Sequence, residues 1–249
     1  MIDLTFEERI AILRLQHAPV NALDGALLGG LVEALDEIER SAAAAVITGS
    51  GMAFSAGADL LRLMDEGSRY IEEARPHASR VFERMFLIPV PLVAAINGHA
   101  IAGGCVLALA CDHRVTAAGD HRLGLAELKA GVPFPTWALE IVRYAVAQPH
   151  LQRLLYSGRL VKPDEAFSLG LVDEVVPADA LIATAMEAAR KLAAIPSRTF
   201  ALTKKALREP FAQRARATTS FDDEGTAIWA SDETRDSVRR FIDRTIGGR

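Results

Sequence analysis

Two glycine-containing turns carry the residues best suited to chemistry. One reads Thr48-Gly49-Ser50-Gly51-Met52-Ala53-Phe54-Ser55-Ala56-Gly57-Ala58-Asp59-Leu60, the other Ile96-Asn97-Gly98-His99-Ala100-Ile101-Ala102-Gly103-Gly104. Each follows a buried apolar run and leads into a helical pattern. Small residues at Ala56, Gly57, Ala58, Gly103 and Gly104 let a ligand approach the backbone closely. Free N–H groups at a helix start attract anions. Two such groups converging on one carbonyl oxygen form an oxyanion hole. The same glycines equally suit tight turns and close packing.

Other chemistries fail on spacing. Gly98-His99-Ala100-Ile101-Ala102-Gly103 has the glycines of a phosphate loop, but Gly104-Cys105 stands where Lys and Ser or Thr are needed. No G-x-G-x-x-G opens a helix after a strand. Ser55 lacks the glycine two residues upstream that a nucleophile elbow requires, since Ala53 occupies that position. His17, His77, His99, His113, His121 and His150 show no metal-ligand spacing. His99 and His113 read as packed or hydrogen-bonded histidines.

The elements that must hold these turns follow from periodicity. Strands are predicted over Arg9–Leu15, Ala43–Thr48, Pro91–Ile96, Arg114–Ala117 and Val172–Val176. Asp24 caps a helix over Gly25–Arg40. Further helices are expected at Leu60–Met64, Ile71–Met85, Gly103–Cys111, Thr136–Val146, Pro149–Tyr156, Pro163–Ser168 and Leu181–Ala194. Alternating strands and helices indicate an α/β core. After Pro196 strand signals stop, and Arg198–Arg208, Arg216–Trp229 and Glu233–Thr245 read as charged helices. The expected division is a core over 1–195 and a helical region over 196–249.

The composition fits one large globular unit. The chain has 249 residues, half of them hydrophobic and 24% charged, with a net charge of −4. That balance offers no electrostatic footprint for nucleic acid or an anionic membrane. Residues 85 to 111 contain no Asp, Glu, Lys or Arg, a stretch long enough to span a bilayer. Pro89, Pro91, Asn97, Gly98, Gly103 and Gly104 interrupt it, so it reads as a buried strand, turn and helix. Met1–Ile10 is charged and lacks the apolar region of a secretory leader. Cys105 and Cys111, the two cysteines, read as buried reduced thiols of a cytoplasmic protein.

Three stretches resemble one family. Phe54-Ser55-Ala56-Gly57-Ala58-Asp59-Leu60 is similar to the first signature of the crotonase superfamily, the enoyl-CoA hydratase/isomerase family. Residues Ala95 to Cys105, followed by Leu109-Ala110-Cys111-Asp112, resemble the second, and Gly170-Leu171-Val172-Asp173-Glu174-Val175-Val176-Pro177 a third. The resemblance implies an α/β spiral of ββα units with a C-terminal helical region that forms a homotrimer or a dimer of trimers. It implies an acyl thioester of coenzyme A as ligand, its carbonyl held by the Ala58 and Gly103 amides. The stretch Ala56, Gly57, Asp59 and Leu60, with Gly104, would contact the CoA. Phe241-Ile242-Asp243-Arg244 stands where a Phe-x-x-Lys often reaches a neighbouring subunit's CoA, with Arg244 replacing the lysine. Leu61 replaces a second lysine common in the family.

The reaction implied turns on glutamates. A hydratase of this family carries one at the position of Val106 and another at the position of Glu127, within Leu123-Gly124-Leu125-Ala126-Glu127-Leu128. Glu127 is present and Val106 cannot hold a proton. Gly131-Val132-Pro133-Phe134-Pro135-Thr136-Trp137 is similar to the Δ3,Δ2-enoyl-CoA isomerase branch, which works with one glutamate. The leading expectation is therefore an isomerase with Glu127 as base in an apolar setting of Val106, Leu125 and Leu128. Alternatives are a hydratase or other enolate-forming lyase with Glu140 as second acid or base, and a CoA-ester binding protein with little catalysis. Asp59 reads as a helix cap and Asp112 as structural. No metal or redox cofactor is implied, because CoA arrives with the substrate.

Overall fold

The computed structural model describes residues 1–245; the last four residues of the expected 196–249 region lie outside the described part. The chain opens with a hairpin, β1 (Ile2–Glu7) and β2 (Ile10–Leu15), and α1 (Gly25–Ser41). Asp24 accepts the Leu27 amide and caps α1, as its position predicts. Then come β3 (Ala44–Gly49), β4 (Ala53–Ser55), α2 (Leu60–Glu66) and α3 (Ser68–Leu87). They are followed by β5 (Leu92–Ile96), β6 (His99–Ile101), α4 (Gly103–Leu109), β7 (His113–Ala117), β8 (Leu123–Gly124) and α5 (Glu127–Ala130). The remaining elements are α6 (Thr136–Ala145), α7 (Gln148–Ser157), α8 (Pro163–Ser168), β9 (Glu174–Val176), α9 (Leu181–Ala193), α10 (Ser197–Ala217), α11 (Ser220–Trp229) and α12 (Asp232–Thr245).

The strands form two sheets. The larger runs β1-β2-β3-β5-β7-β9, parallel except for the β1–β2 pair. The smaller runs β4-β6-β8 and is wholly parallel. Chain order therefore repeats one step three times: a strand in the large sheet, a short strand in the small sheet, then a helix. Central strands are buried on both faces, which is why they read as continuous apolar runs. Ala45 and Ile47 of β3 join the main core with α1, α3 and α6. Ala44 and Val46 face the other way, onto Ala185, Met186 and Ala189 of α9.

Several differences from expectation have physical causes. β1 escaped the pattern because its hairpin turns at Glu8-Arg9, with Glu8 at φ 55°, and lacks the Gly or Asn that usually marks such a turn. Strands β4, β6 and β8, of two or three residues, are too short for a periodic signal; β4 and β6 lie in the stretches read as glycine turns, and β8 in a stretch given no element. Helix α10 runs on through Pro210 rather than ending at Arg208. Buried Lys204, Arg208, Ala212 and Ala215 hold both halves to the body, which outweighs the hydrogen bond that proline removes. Among the described residues, no helix is long and apolar enough to cross a membrane.

Candidate active site

The first turn is braced from several directions. Asn21, almost fully buried, donates through Nδ2 to the Ala53 and Phe54 carbonyls at 2.9 and 3.2 Å. Its own carbonyl accepts the Ser55 hydroxyl at 2.7 Å. The Gly57 amide donates to Ser55 Oγ at 3.2 Å. The Asp59 amide donates to the Tyr70 hydroxyl at 2.8 Å, and that hydroxyl donates to the Leu23 carbonyl at 3.0 Å. Asp59 Oδ1 accepts the Leu61 and Arg62 amides and caps α2, as expected. The amides on either side of Ala58 are thus engaged, whereas among the described residues that of Ala58 donates to no protein acceptor.

The second turn leaves another amide in the same condition. Ala102 donates its amide to the Gly124 carbonyl at 2.8 Å and caps α4 with φ 51° and ψ −125°. That backbone conformation is strained for a residue with a side chain. Gly103 then starts α4, and its amide donates to no acceptor among the described residues. Gly57 fits against this point: a Cβ there would come within 2.8 Å of the Ile101 carbonyl oxygen and 3.0 Å of the Gly103 nitrogen.

The third contribution is Glu127, the first residue of α5 after β8. It is 6% exposed, and its Oε2 has no hydrogen-bond partner among the described residues. Burial pushes its pKa from 4.5 up to about 8, a rise that one backbone hydrogen bond only partly offsets. The apolar setting is not the expected one. Leu128 is 43% exposed, and Val106 and Leu125 belong to the main core. Ala126, Ala130, Val132 and Ala138 line the cavity with Glu127 instead.

Ala58, Gly103 and Glu127 line one cavity between α3, α6 and the C-terminal helices. They follow β4, β6 and β8 in turn, so adjacent strands of the small sheet bring three distant stretches together. Ala56 and Leu60 also line it. Gly57 and Gly104 lie behind the wall; a Cβ on Gly104 would meet the Ser55 carbonyl oxygen at 2.1 Å, so this glycine serves close packing. Glu140 does not reach the cavity. It lies two residues beyond Ala138, on the opposite face of α6, where Arg143 and Arg214 hold its buried carboxylate at 2.6 and 2.9 Å. Arg244 is exposed, with Nε on the Arg240 carbonyl, while Phe241 of the same helix lines its own chain's cavity.

Sequence reasoning missed Asn21, Tyr70, Arg75 and Trp229. Asn21 lies between predicted elements, and the other three, which line the cavity, sit in helices with nothing local to mark them. His99 accepts the Arg122 amide and His113 pairs with Glu174, matching their expected structural roles. Cys105 and Cys111 are free and buried, and burial raises both thiols to about 12, which leaves them unreactive.

The family model for enoyl-CoA hydratase/isomerase matches residues 5–246. The chain is 31% identical over 241 residues to enoyl-CoA delta isomerase 1, mitochondrial, of Mus musculus, covering 94% of this chain and 83% of that protein. It is 27% identical over 248 residues to the short-chain-enoyl-CoA hydratase of Clostridium acetobutylicum, covering 98% and 95%. The crystal structure of human mitochondrial delta3-delta2-enoyl-CoA isomerase superposes with a TM-score of 0.92 at 28% identity, over 98% of this chain and 97% of that one.

Proposed function

The chain belongs to the enoyl-CoA hydratase/isomerase family of the crotonase superfamily, whose members act on acyl-CoA thioesters, and from that premise we propose that it shifts a Δ3 double bond to Δ2 with Glu127 as its single base. The observation that carries this reading is that Glu127 is the one carboxyl group among the described residues lining the cavity. A 1,3 proton shift needs one group that takes a proton and gives it back. Addition of water in this family uses two glutamates. Here the second position is Val106, buried in the core, and Glu140 is held elsewhere by two arginines.

In this mechanism the thioester carbonyl accepts hydrogen bonds from the Ala58 and Gly103 amides. The ionised Glu127 carboxylate takes a proton from C2, and negative charge flows onto the thioester oxygen. The two amides stabilise that dienolate, each contributing ~3 kcal/mol by comparison with similar sites. The same carboxyl then returns the proton at C4, so mass is unchanged and Glu127 ends as it began. The raised pKa makes the carboxylate a stronger base than an exposed glutamate. CoA comes with the substrate, and no step calls for a metal or redox cofactor. Residues Ala56 to Leu60 and the exposed Arg244 are the proposed contacts for the CoA portion. A homotrimeric or hexameric assembly is part of the same proposal.

Product analysis tests the reading. The purified protein is given a 3-enoyl-CoA and, separately, a trans-2-enoyl-CoA. Conversion of the first at unchanged mass, with no water gained by either, is expected. Gain of one water by the 2-enoyl ester would make it a hydratase and overturn the single-base assignment.

A further inference from the structure

Helix α3 presents Ile71, Ala74, Arg75, Ala78 and Phe82 to the cavity. That is the spacing of one helix face, and every member except Arg75 is apolar. A guanidinium carries five N–H donors and no means of neutralising itself, so burying it without acceptors is unfavourable. The Arg75 side chain is 11% exposed, and Nη1 has no partner among the described residues. Nη2 reaches the Asp222 carbonyl at 3.3 Å and Asp222 Oδ1 at a long 3.5 Å. Asp222 is committed elsewhere: the Thr136 amide holds Oδ1 at 2.9 Å and the Thr136 hydroxyl holds Oδ2 at 2.5 Å. Asp222 therefore anchors the guanidinium without using it up. Gly225 closes the other side, since a Cβ there would stand 3.2 Å from Nη2. The cation is thus held in a fixed position with donor capacity left over, in the wall of the cavity that Glu127 lines.

We propose that Arg75 selects acyl-CoA esters whose acyl chain ends in a carboxylate, through a charge-assisted hydrogen bond from its guanidinium. This rests on the acyl-CoA reading above and names its substrate class. In this proposal Glu127 serves the carbons beside the thioester and Arg75 the far terminus of the acyl group.

Binding of unreactive ligands tests this without turnover. Mono-CoA thioesters of saturated dicarboxylic acids of four to ten carbons are titrated calorimetrically against fatty acyl-CoA esters of the same lengths. At one or more lengths the carboxylate-ended ester should bind about tenfold tighter, the gain from one charge-assisted hydrogen bond. Arg75→Met should abolish the difference, while Arg75→Lys should retain part of it. A purely structural role in tying α3 to α11 would weaken both ligand series together and leave their ratio unchanged. No preference at any length in the unaltered protein overturns the proposal, as does a preference that survives in Arg75→Met. Should Arg75→Met fail to fold, Arg75→Lys takes its place, and an undiminished preference there overturns the proposal. A carboxylate preference without isomerisation of any 3-enoyl ester would sink the isomerase reading alone. Failure to bind any acyl-CoA would sink both.

Discussion

Gly57 lies directly against Gly103: a Cβ on the first would approach the backbone nitrogen of the second to 3.0 Å. The contact joins the ends of two different ββα steps beside the Ala58 and Gly103 amides, neither of which donates to an acceptor among the described residues. Gly57 also has φ +80°, where a side chain is strained.

Gly57→Ala should therefore separate the Ala58 and Gly103 amides and strain the turn at once. The expected outcome is a fall in kcat on the order of 100-fold, comparable to losing one oxyanion donor, with a far smaller change in KM. Thermal unfolding should show a lowered Tm. Unaltered kcat would mean that the spacing of the two amides does not govern the rate.

Ala102 offers a change in the opposite direction. Its φ of 51° and ψ of −125° suit glycine, and it immediately precedes the Gly103 amide. Ala102→Gly should relieve backbone strain of about 1 kcal/mol and raise Tm by roughly 2–4 °C. Calorimetry checks it, and a lowered Tm would show that the alanine methyl contributes more by packing than its backbone loses by strain.

Glu127 links activity and stability to pH with opposite signs. Its folded pKa of about 8 lies above the ordinary 4.5. Between those values the folded protein holds a proton that the unfolded chain releases, so this group makes stability fall as pH rises, by about 1.4 kcal/mol per unit. Isomerisation needs the ionised form, so kcat/KM should climb through the same interval, reach half its maximum near pH 8 and level off above it. Glu127→Gln should remove this contribution to the pH slope of stability, measured by urea unfolding at several pH values, and should abolish isomerase turnover. A variant that kept either property would show that Glu127 is not the titrating base.

Asp112 should matter for folding rather than turnover. It accepts Lys204 Nζ and Arg208 Nη2, each at 2.7 Å, and the Leu92 amide at 2.8 Å. Both cations are almost fully buried, and burial lowers the Lys204 pKa to about 8 even with Asp112 beside it. Asp112→Asn would leave two buried cations short of a counter-charge and should destabilise by about 3–5 kcal/mol. A shift in urea midpoint equivalent to under ~1 kcal/mol would show that water or the neighbouring carbonyls compensate.

The long strands and the amphipathic helices were legible because five or six buried residues, or several turns with one apolar face, leave a pattern that local chemistry cannot produce by chance. Pro163–Ser168 and the Asp24 cap stand where the sequence puts them. The short strands β4, β6 and β8 left no pattern, since two or three residues hold no period. Asn21 and Tyr70 were invisible for another reason: each acts by hydrogen-bonding to backbone distant in the chain.

By itself the sequence determined the alternation of buried strands and helices and the two small-residue turns, whereas Glu127 stood out among the glutamates only through the family resemblance. The alternation and the turns follow from residue type and spacing along the chain. Only the tertiary structure decided that Ala58, Gly103 and Glu127 face one cavity, that Glu140 turns from it toward Arg143 and Arg214, and that Arg75 stands in its wall. The physical reason is that those relationships come from the pairing of β4, β6 and β8 and from helices closing over the sheet. Such long-range contacts depend on the whole core condensing, and no local stretch of chain encodes them.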